Sequence, residues 1–310
     1  MTVSFNGQVA IVTGAGGGLG RAHALLLAQR GAAVVINDFG GARDGGGGNT
    51  EAAEAVVREI TEAGGRAIAN SGNVVSAADM EALVAETMAA FGRVDILINN
   101  AGILRDKSFA KMTMEDFRQV VDVHLMGSAN ASKAVWGVMR EQGYGRILMT
   151  SSTSGSYGNF GQANYGAAKM GVLGLMNVLH AEGARYGIHV NAILPTAATR
   201  MTGDMMSQDM LELLSPDLVA PAAVWLVSRD APSRTALLAG AGTVARLAIV
   251  ESEGVCFAGQ DMTPEDIGAR FAEIAALDPA LEPAAGLEHV DRILARARTA
   301  LGISGTRTHG

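Results

Sequence analysis

The 310-residue chain is 48% hydrophobic and 18% charged, long enough to bury a sizeable core and too apolar to be a disordered chain. Its 24 Lys and Arg against 31 Asp and Glu leave a net charge of −7 with no basic run, a balance that argues against nucleic acid or an anionic membrane as a partner. One cysteine, Cys256, excludes an internal disulfide and any zinc-type cysteine spacing, which suits a reducing compartment.

Met1 to Gln8 carries neither a basic region nor a long apolar stretch, and no run of 18 apolar residues occurs, so a soluble, cytoplasmic protein is expected. Short apolar, β-branched runs alternate with amphipathic stretches over the first 250 residues, the pattern of βαβ units around a parallel sheet. Strands are predicted at Val9–Thr13, Ala33–Asn37, Arg66–Asn70, Asp95–Asn99, Gly145–Thr150 and His189–Leu194, with a last one near Leu247–Val250. Helices are predicted at Gly20–Arg30, Thr50–Ala63 and Ala77–Phe91, where apolar residues recur every three or four positions. The fold class is α/β, a doubly wound parallel sheet of about seven strands with helices on both faces. Domain boundaries are read as 1–255 for this body and 256–310 for a helical extension, one helix opened by Thr263 to Asp266 in capping order and another running from Leu287 to Leu301. Phe39 to Asn49, with six glycines, reads as a mobile surface loop.

Forty glycines are nearly double the typical share of roughly 7%. Several crowd the end of the first strand, where Thr13-Gly14-Ala15-Gly16-Gly17-Gly18-Leu19-Gly20 leads into a helix. Glycines in such a turn let the backbone approach a pyrophosphate resting on the helix N-terminus. Asp38, at the end of the second strand, sits where a carboxylate can accept from the adenosine ribose hydroxyls and would repel a 2′-phosphate, so NAD is favoured over NADP. Tyr165 and Lys169, four residues apart, share a helix face. A cation beside the phenol favours phenolate and makes Tyr165 a usable acid/base. Ser152 closes the fifth strand 13 residues before Tyr165, with Ser151 and Ser154 as rivals.

The T-G-x-x-x-G-x-G turn, Asn99-Asn100-Ala101-Gly102 and the Ser152, Tyr165, Lys169 set together resemble the short-chain dehydrogenases/reductases. The segments Val35–Gly41, Asn100–Phe109 and Tyr157–Tyr165 look like the (3R)-hydroxyacyl-CoA dehydrogenase region of that family's multifunctional-enzyme branch, the likeness covering about residues 5 to 260. The resemblance implies a Rossmann fold and a free-standing enzyme in which no hydratase domain follows. In it, Tyr165 exchanges the proton with the substrate hydroxyl, Ser152 holds the substrate oxygen, and Lys169 binds the nicotinamide ribose. Thr13, Gly14, Gly18, Leu19 and Gly20 would cradle the diphosphate; Asn73, Val74, Asn99, Ala101, Gly102 and Pro195 would line the rest of the cofactor cleft. The implied substrate is a small molecule, a 3-hydroxyacyl-CoA before a steroid alcohol, and the implied assembly is a homodimer or homotetramer through helices Met114–Arg140 and Asn164–Tyr186.

Three positions depart from the family pattern. His124 replaces the usual catalytic asparagine, Asn73 replaces an adenine-contacting aspartate, and Pro195-Thr196 replaces Pro-Gly, leaving the carboxamide-contacting threonine open between Thr199 and Thr202. The stretch holding Met205, Met206, Met210, Leu211 and Leu214 is the substrate loop by the same resemblance, its thioethers suited to an apolar chain.

Overall fold

A computed structural model describes residues 2–40, 50–198 and 207–303. Alternating strands and helices follow in order: β1 (Val9–Thr13), α1 (Gly18–Gln29), β2 (Ala33–Asn37), α2 (Glu51–Glu62), β3 (Arg66–Asn70), α3 (Ala77–Phe91), β4 (Ile96–Asn99), α4 (Met114–Val121), α5 (Gly127–Gln142), β5 (Gly145–Thr150), α6 (Thr153–Ser156), α7 (Ala163–Gly183) and β6 (Ile188–Thr196). Then come α8 (Gln208–Leu213), α9 (Ala220–Leu226), β7 (Ala236–Gly240), β8 (Thr243–Leu247), α10 (Pro264–Ala269), α11 (Phe271–Ile274) and α12 (Gly286–Ala300). The strands form one eight-stranded sheet in the order β3-β2-β1-β4-β5-β6-β7-β8, parallel except for β8.

Every residue of β1, β2, β4 and β5 is buried, as suits largely apolar strands between two helical layers, and Arg146 in β5 donates to the carbonyls of Ser228, Gly187 and Arg229. Alternate residues feed opposite cores. Ala10, Val12, Val34, Ile36, Ile96 and Ile98 pack on the side of Leu27, Val56, Ile60 and Leu226. Ile11, Val35 and Leu97 pack with Leu83, Val135, Met139 and Val172 on the other. Burying one of these larger side chains contributes about 2 kcal/mol.

The last expected strand needs correction. The parallel seventh strand is Ala236–Gly240, and the chain then turns through Ala241 and Gly242 into antiparallel β8, which ends at Leu247 where the expected strand began. Leu247–Val250 is apolar enough to read as a strand, but Ala248 to Val250 lie exposed past the sheet. The expected single helix Met114–Arg140 is two helices joined by a π-helical turn, Asp122–Met126.

Contacts divide the chain into two units, Met1–Leu247 and Ala248–Gly310. In the second, Thr263 and Asp266 form a reciprocal capping box at α10, and Glu251 takes an ion pair from Arg292 and a 2.7 Å contact from His289 Nδ1, both on α12. None of its described residues is buried. The glycine-rich loop from Gly41 to Asn49 lies outside the described residues.

His23, on α1, is fully buried and neither ring nitrogen has a hydrogen-bond partner among the described residues. Burial pulls its pKa down to about 4, so the folded state binds a proton less readily than the unfolded chain, and stability is lost as pH falls from 6.5 towards that value. Between pH 7 and pH 5 His23 should cost about 2 kcal/mol of stability. Urea unfolding at the two pH values checks this: His23→Leu should flatten the pH dependence by that amount, and parallel curves for the two proteins would remove His23 as a cause.

Candidate active site

The strand order reverses between β1 and β4, which opens a crevice at their carboxyl ends. Two residues stitch it. The Thr13 hydroxyl accepts from the backbone N–H of Asn100 (3.0 Å) and Ala101 (3.1 Å), and Asn100 Nδ2 donates to the carbonyls of Thr13 and Gly14, each at 3.0 Å. Gly14 has φ +62° and passes so close to β4 that a Cβ would lie 2.7 Å from Ala101 Cα. No larger residue fits this turn. Helix α1 starts at Gly18 behind an N-cap, Gly17, that has no side chain to occupy the first N–H groups, and Leu19 packs onto the core to hold it. Asp38 is held from both sides, accepting from Gly16 N (2.7 Å) and Gly40 N (2.8 Å). The uncapped helix start and the oriented carboxylate beside it fit a dinucleotide.

The other predicted cofactor residues divide between lining and scaffold. Asn73 Oδ1 accepts from Val75 N at 3.0 Å, and buried Val74 offers its carbonyl to Asn130 Nδ2 at 3.0 Å. Thr13 and Asn99 are turned inward: the first is spent on the β4 stitch, and Asn99 Nδ2 donates to Ser132 Oγ at 3.1 Å. Pro195 lies at the end of β6, partly exposed. Thr199, Thr202, Met205 and Met206 lie outside the described residues, and Met210 is half exposed on α8.

Beyond the crevice, β5 and α7 bring the chemistry-bearing side chains together. The three serines separate cleanly. Ser151 Oγ donates to the Lys169 carbonyl (2.7 Å) and Ser154 Oγ to Gln162 Oε1 (2.7 Å), whereas Ser152 Oγ accepts from the Ser154 N–H (3.2 Å) and is the serine whose side chain acts on the Tyr165 phenol, drawing its pKa down. Lys169 is buried, its Nζ donating to the Thr150 carbonyl at 2.6 Å and lying 5.5 Å from the Tyr165 ring centroid. The His124 ring meets Tyr165 edge-on, 5.0 Å between centroids at 89°.

Burial governs the titration of all three. It pulls Lys169 down to about 7. It pushes Tyr165 up, against the Ser152 hydrogen bond and with help from the Asp106 charge. His124 is pulled well down, mainly by burial and then by the Lys169 charge.

His124 sits in the π-helical turn, a feature that re-aims a helical side chain. Its Nε2 lies 2.8 Å from the Ile103 carbonyl and 3.1 Å from the Ile103 N–H, while Nδ1 is buried with no partner among the described residues. Gly102 makes room for it, since a Cβ there would fall inside the imidazole. Sequence reasoning also passed over Asn164, fully buried, which donates to the Arg105 (3.1 Å) and Asp116 (3.4 Å) carbonyls and sets the start of α7. Its position just before Tyr165 was the available signal.

With this geometry in view, comparison with known proteins is specific. The short chain dehydrogenase family profile matches residues 8–209. The chain belongs to that family. This short-chain dehydrogenase is 47% identical over 296 residues, 95% of its length, to peroxisomal multifunctional enzyme A of Dictyostelium discoideum, of which it covers 66%. It is 46% identical over 275 residues to the peroxisomal hydratase-dehydrogenase-epimerase of Saccharomyces cerevisiae, covering 88% of itself and 30% of that protein. The chain thus spans less than two thirds of these relatives. Among solved structures, full-length peroxisomal multifunctional enzyme type 2 from Drosophila melanogaster aligns over 96% of this chain and 50% of its own, with a TM-score of 0.80 and 35% identity. A 7 alpha-hydroxysteroid dehydrogenase complexed with NADH and 7-oxo glycochenodeoxycholic acid aligns over 77% of this chain and 95% of its own, with a TM-score of 0.70 and 30% identity. Among the described residues no helix is long and apolar enough to cross a membrane, and no His, Cys, Asp and Glu cluster could hold a metal.

Because His124 and Gly102 occupy each other's space, Gly102→Ala should destabilise this short-chain dehydrogenase by about 2 kcal/mol through overpacking. In a His124→Ala background the same change should cost less than half as much. Thermal melts of the four proteins measure the coupling; equal costs in both backgrounds would show that the imidazole is not what Gly102 accommodates.

Proposed function

We propose that the protein is an NAD-dependent dehydrogenase that oxidises (3R)-3-hydroxyacyl-CoA to 3-oxoacyl-CoA. The observation that carries this reading is buried Lys169 beside the Tyr165 ring, with Ser152 acting on the phenol and the glycine turn at the neighbouring strand ends. A bound nicotinamide supplies the hydride acceptor when it is present. Backbone groups from Gly14 to Gly20 would hold its diphosphate, Asp38 its adenosine ribose, and Lys169 the nicotinamide ribose. Ser152 donates to the substrate oxygen and orients it towards Tyr165. In its phenolate form Tyr165 takes the hydroxyl proton as the adjacent carbon gives up hydride, and in the reverse direction the phenol returns that proton. His124, neutral and edge-on, fixes the Tyr165 ring plane.

The choice of NAD rests on the Asp38 carboxylate, which a 2′-phosphate would meet at close range. The acyl-CoA reading rests on the sequence segments shared with the multifunctional branch and on the coupling named in the yeast relative, where a hydratase makes a hydroxyl that a dehydrogenase can consume. The steroid dehydrogenase among the solved neighbours favours a second reading, oxidation of a hydroxysteroid. A homodimer or homotetramer through α4, α5 and α7 is part of the proposal, supported by half-exposed Met170 and Val178 on α7. A reducing, cytoplasmic setting suits the lone, partly exposed Cys256.

A kinetic screen of 3-hydroxyacyl-CoAs of both hands and several chain lengths, against steroid alcohols and with NAD and NADP compared, tests the substrate and the cofactor together. Turnover of the (3R) thioesters with NAD is expected; oxidation of steroids alone would replace the reading with the second one. Tyr165→Phe should cut turnover by at least about a hundredfold. NAD binding, followed by titration, should survive in that variant, and undiminished turnover would remove Tyr165 from the reaction.

A further inference from the structure

Asp106 has no part in the roles assigned above, yet it is tied to the site. It lies in the segment Arg105-Asp106-Lys107, whose charged side chains divide between two sides as alternating positions of an extended chain do. Arg105 Nη1 (3.0 Å) and Lys107 Nζ (2.9 Å) both reach the Asp116 carboxylate, with Thr113 Oγ1 adding a bond at 2.8 Å. Those partners, Lys107 foremost, hold Asp116 well below the usual carboxylate range. Asp106, between them, serves a different partner: its Oδ2 accepts from Gln162 Nε2 at 2.7 Å.

From Gln162 the hydrogen bonds run to the reacting groups. Its Oε1 accepts from Ser154 Oγ at 2.7 Å, and the Ser154 N–H donates to Ser152 Oγ at 3.2 Å. Asn159 Nδ2 braces the link, lying 3.1 Å from Ser154 Oγ and 3.3 Å from Gln162 Oε1. The Lys107 N–H donates to the Gly161 carbonyl at 2.9 Å and clips the segment in place. Asp106 is exposed, and its charge is felt at the Tyr165 phenol.

We propose that Asp106 is a specificity-determining residue, a carboxylate clipped to the rim of the site through Gln162 that turns away substrates bearing a free carboxylate near the reacting carbon and admits their neutral esters and thioesters. A 3-hydroxy acid carries its carboxylate two carbons from the alcohol that Tyr165 and Ser152 engage. In the ester or thioester of the same acid that carbon is uncharged. The inference rests on alcohol oxidation at Tyr165, as proposed above, and is independent of CoA recognition.

The test compares kcat/KM for methyl 3-hydroxybutyrate and for 3-hydroxybutyrate in the wild type and in Asp106→Asn. Asparagine keeps an oxygen to accept from Gln162 and removes only the charge. The ester-to-acid ratio should fall about tenfold in the variant, the size expected for two charges several ångströms apart near a protein surface. In the wild type the ratio should also fall as ionic strength rises from about 0.05 to about 0.5 M, and in the variant it should not, because an exposed charge is screened. A ratio unchanged within twofold, or an equal loss with both substrates, overturns the proposal in favour of a purely structural role. Failure of the ester to react in the wild type overturns it as well. Because neither compound contains CoA, rejection of CoA thioesters in the screen above would defeat that reading and leave this comparison standing.

Discussion

The stitch between β1 and β4 is the constraint on which the rest of the site depends. Sheet order alone opens a crevice where the strands diverge, but an open crevice would leave the ends of both strands short of hydrogen bonds. Thr13 and Asn100 supply those bonds across the gap, which fixes the first turn of α1 against the Asn99–Gly102 segment. Gly14 tolerates the resulting close approach and no side chain would. From that anchor the chain runs on through Gly102, whose missing side chain admits His124, to Ile103, which tethers the imidazole. The cofactor side and the reacting side are therefore positioned by one continuous piece of backbone.

The second constraint is dryness. Lys169 and His124 are buried and Tyr165 nearly so, and among the described partners none brings a carboxylate into contact with Lys169. Burial disfavours the charged form of each, so the three groups share a preference for neutrality. Burial thereby sets the two pKa values apart, the phenol raised and the amine lowered, so the phenol keeps its proton until a further charge favours the phenolate. A cation brought close to the phenol oxygen, Lys169 in its charged form or an oxidised nicotinamide, favours the phenolate.

Legibility of the sequence followed burial. Val9–Thr13, Ala33–Asn37 and Gly145–Thr150 coincide with observed strands residue for residue, because strands buried on both faces are largely apolar runs bounded by glycine or polar residues; Arg66–Asn70, the edge strand, coincides as well although none of its residues is buried. β7, Ala-Leu-Leu-Ala-Gly, was missed because alanine and glycine carry little strand signal, and the more β-branched stretch after Leu247 drew the assignment away from it. The capping box at Thr263 was legible in the tail because it is a local hydrogen-bond pattern. The π-helical turn at His124 and the Asp106–Gln162 link were not, since each depends on which face a side chain takes once distant elements have packed.

Negative charge is handled by two devices that an acidic protein needs. A chain of net charge −7 that collected phosphates with lysines would have to concentrate scarce cations at the crevice. The uncapped N-terminus of α1 offers oriented N–H groups instead, which bind an anion without adding net charge. Discrimination can then rest on carboxylates set where the wrong ligand would carry its charge. Asp38 is held by Gly16 and Gly40, and Asp106 by Gln162. Both are fixed by hydrogen bonds to their oxygens, so neither can swing aside to relieve a repulsion at no cost. Attraction by backbone dipoles and repulsion by braced carboxylates are complementary routes to selectivity, since the first draws in any anion and the second acts only on one whose charge falls beside it.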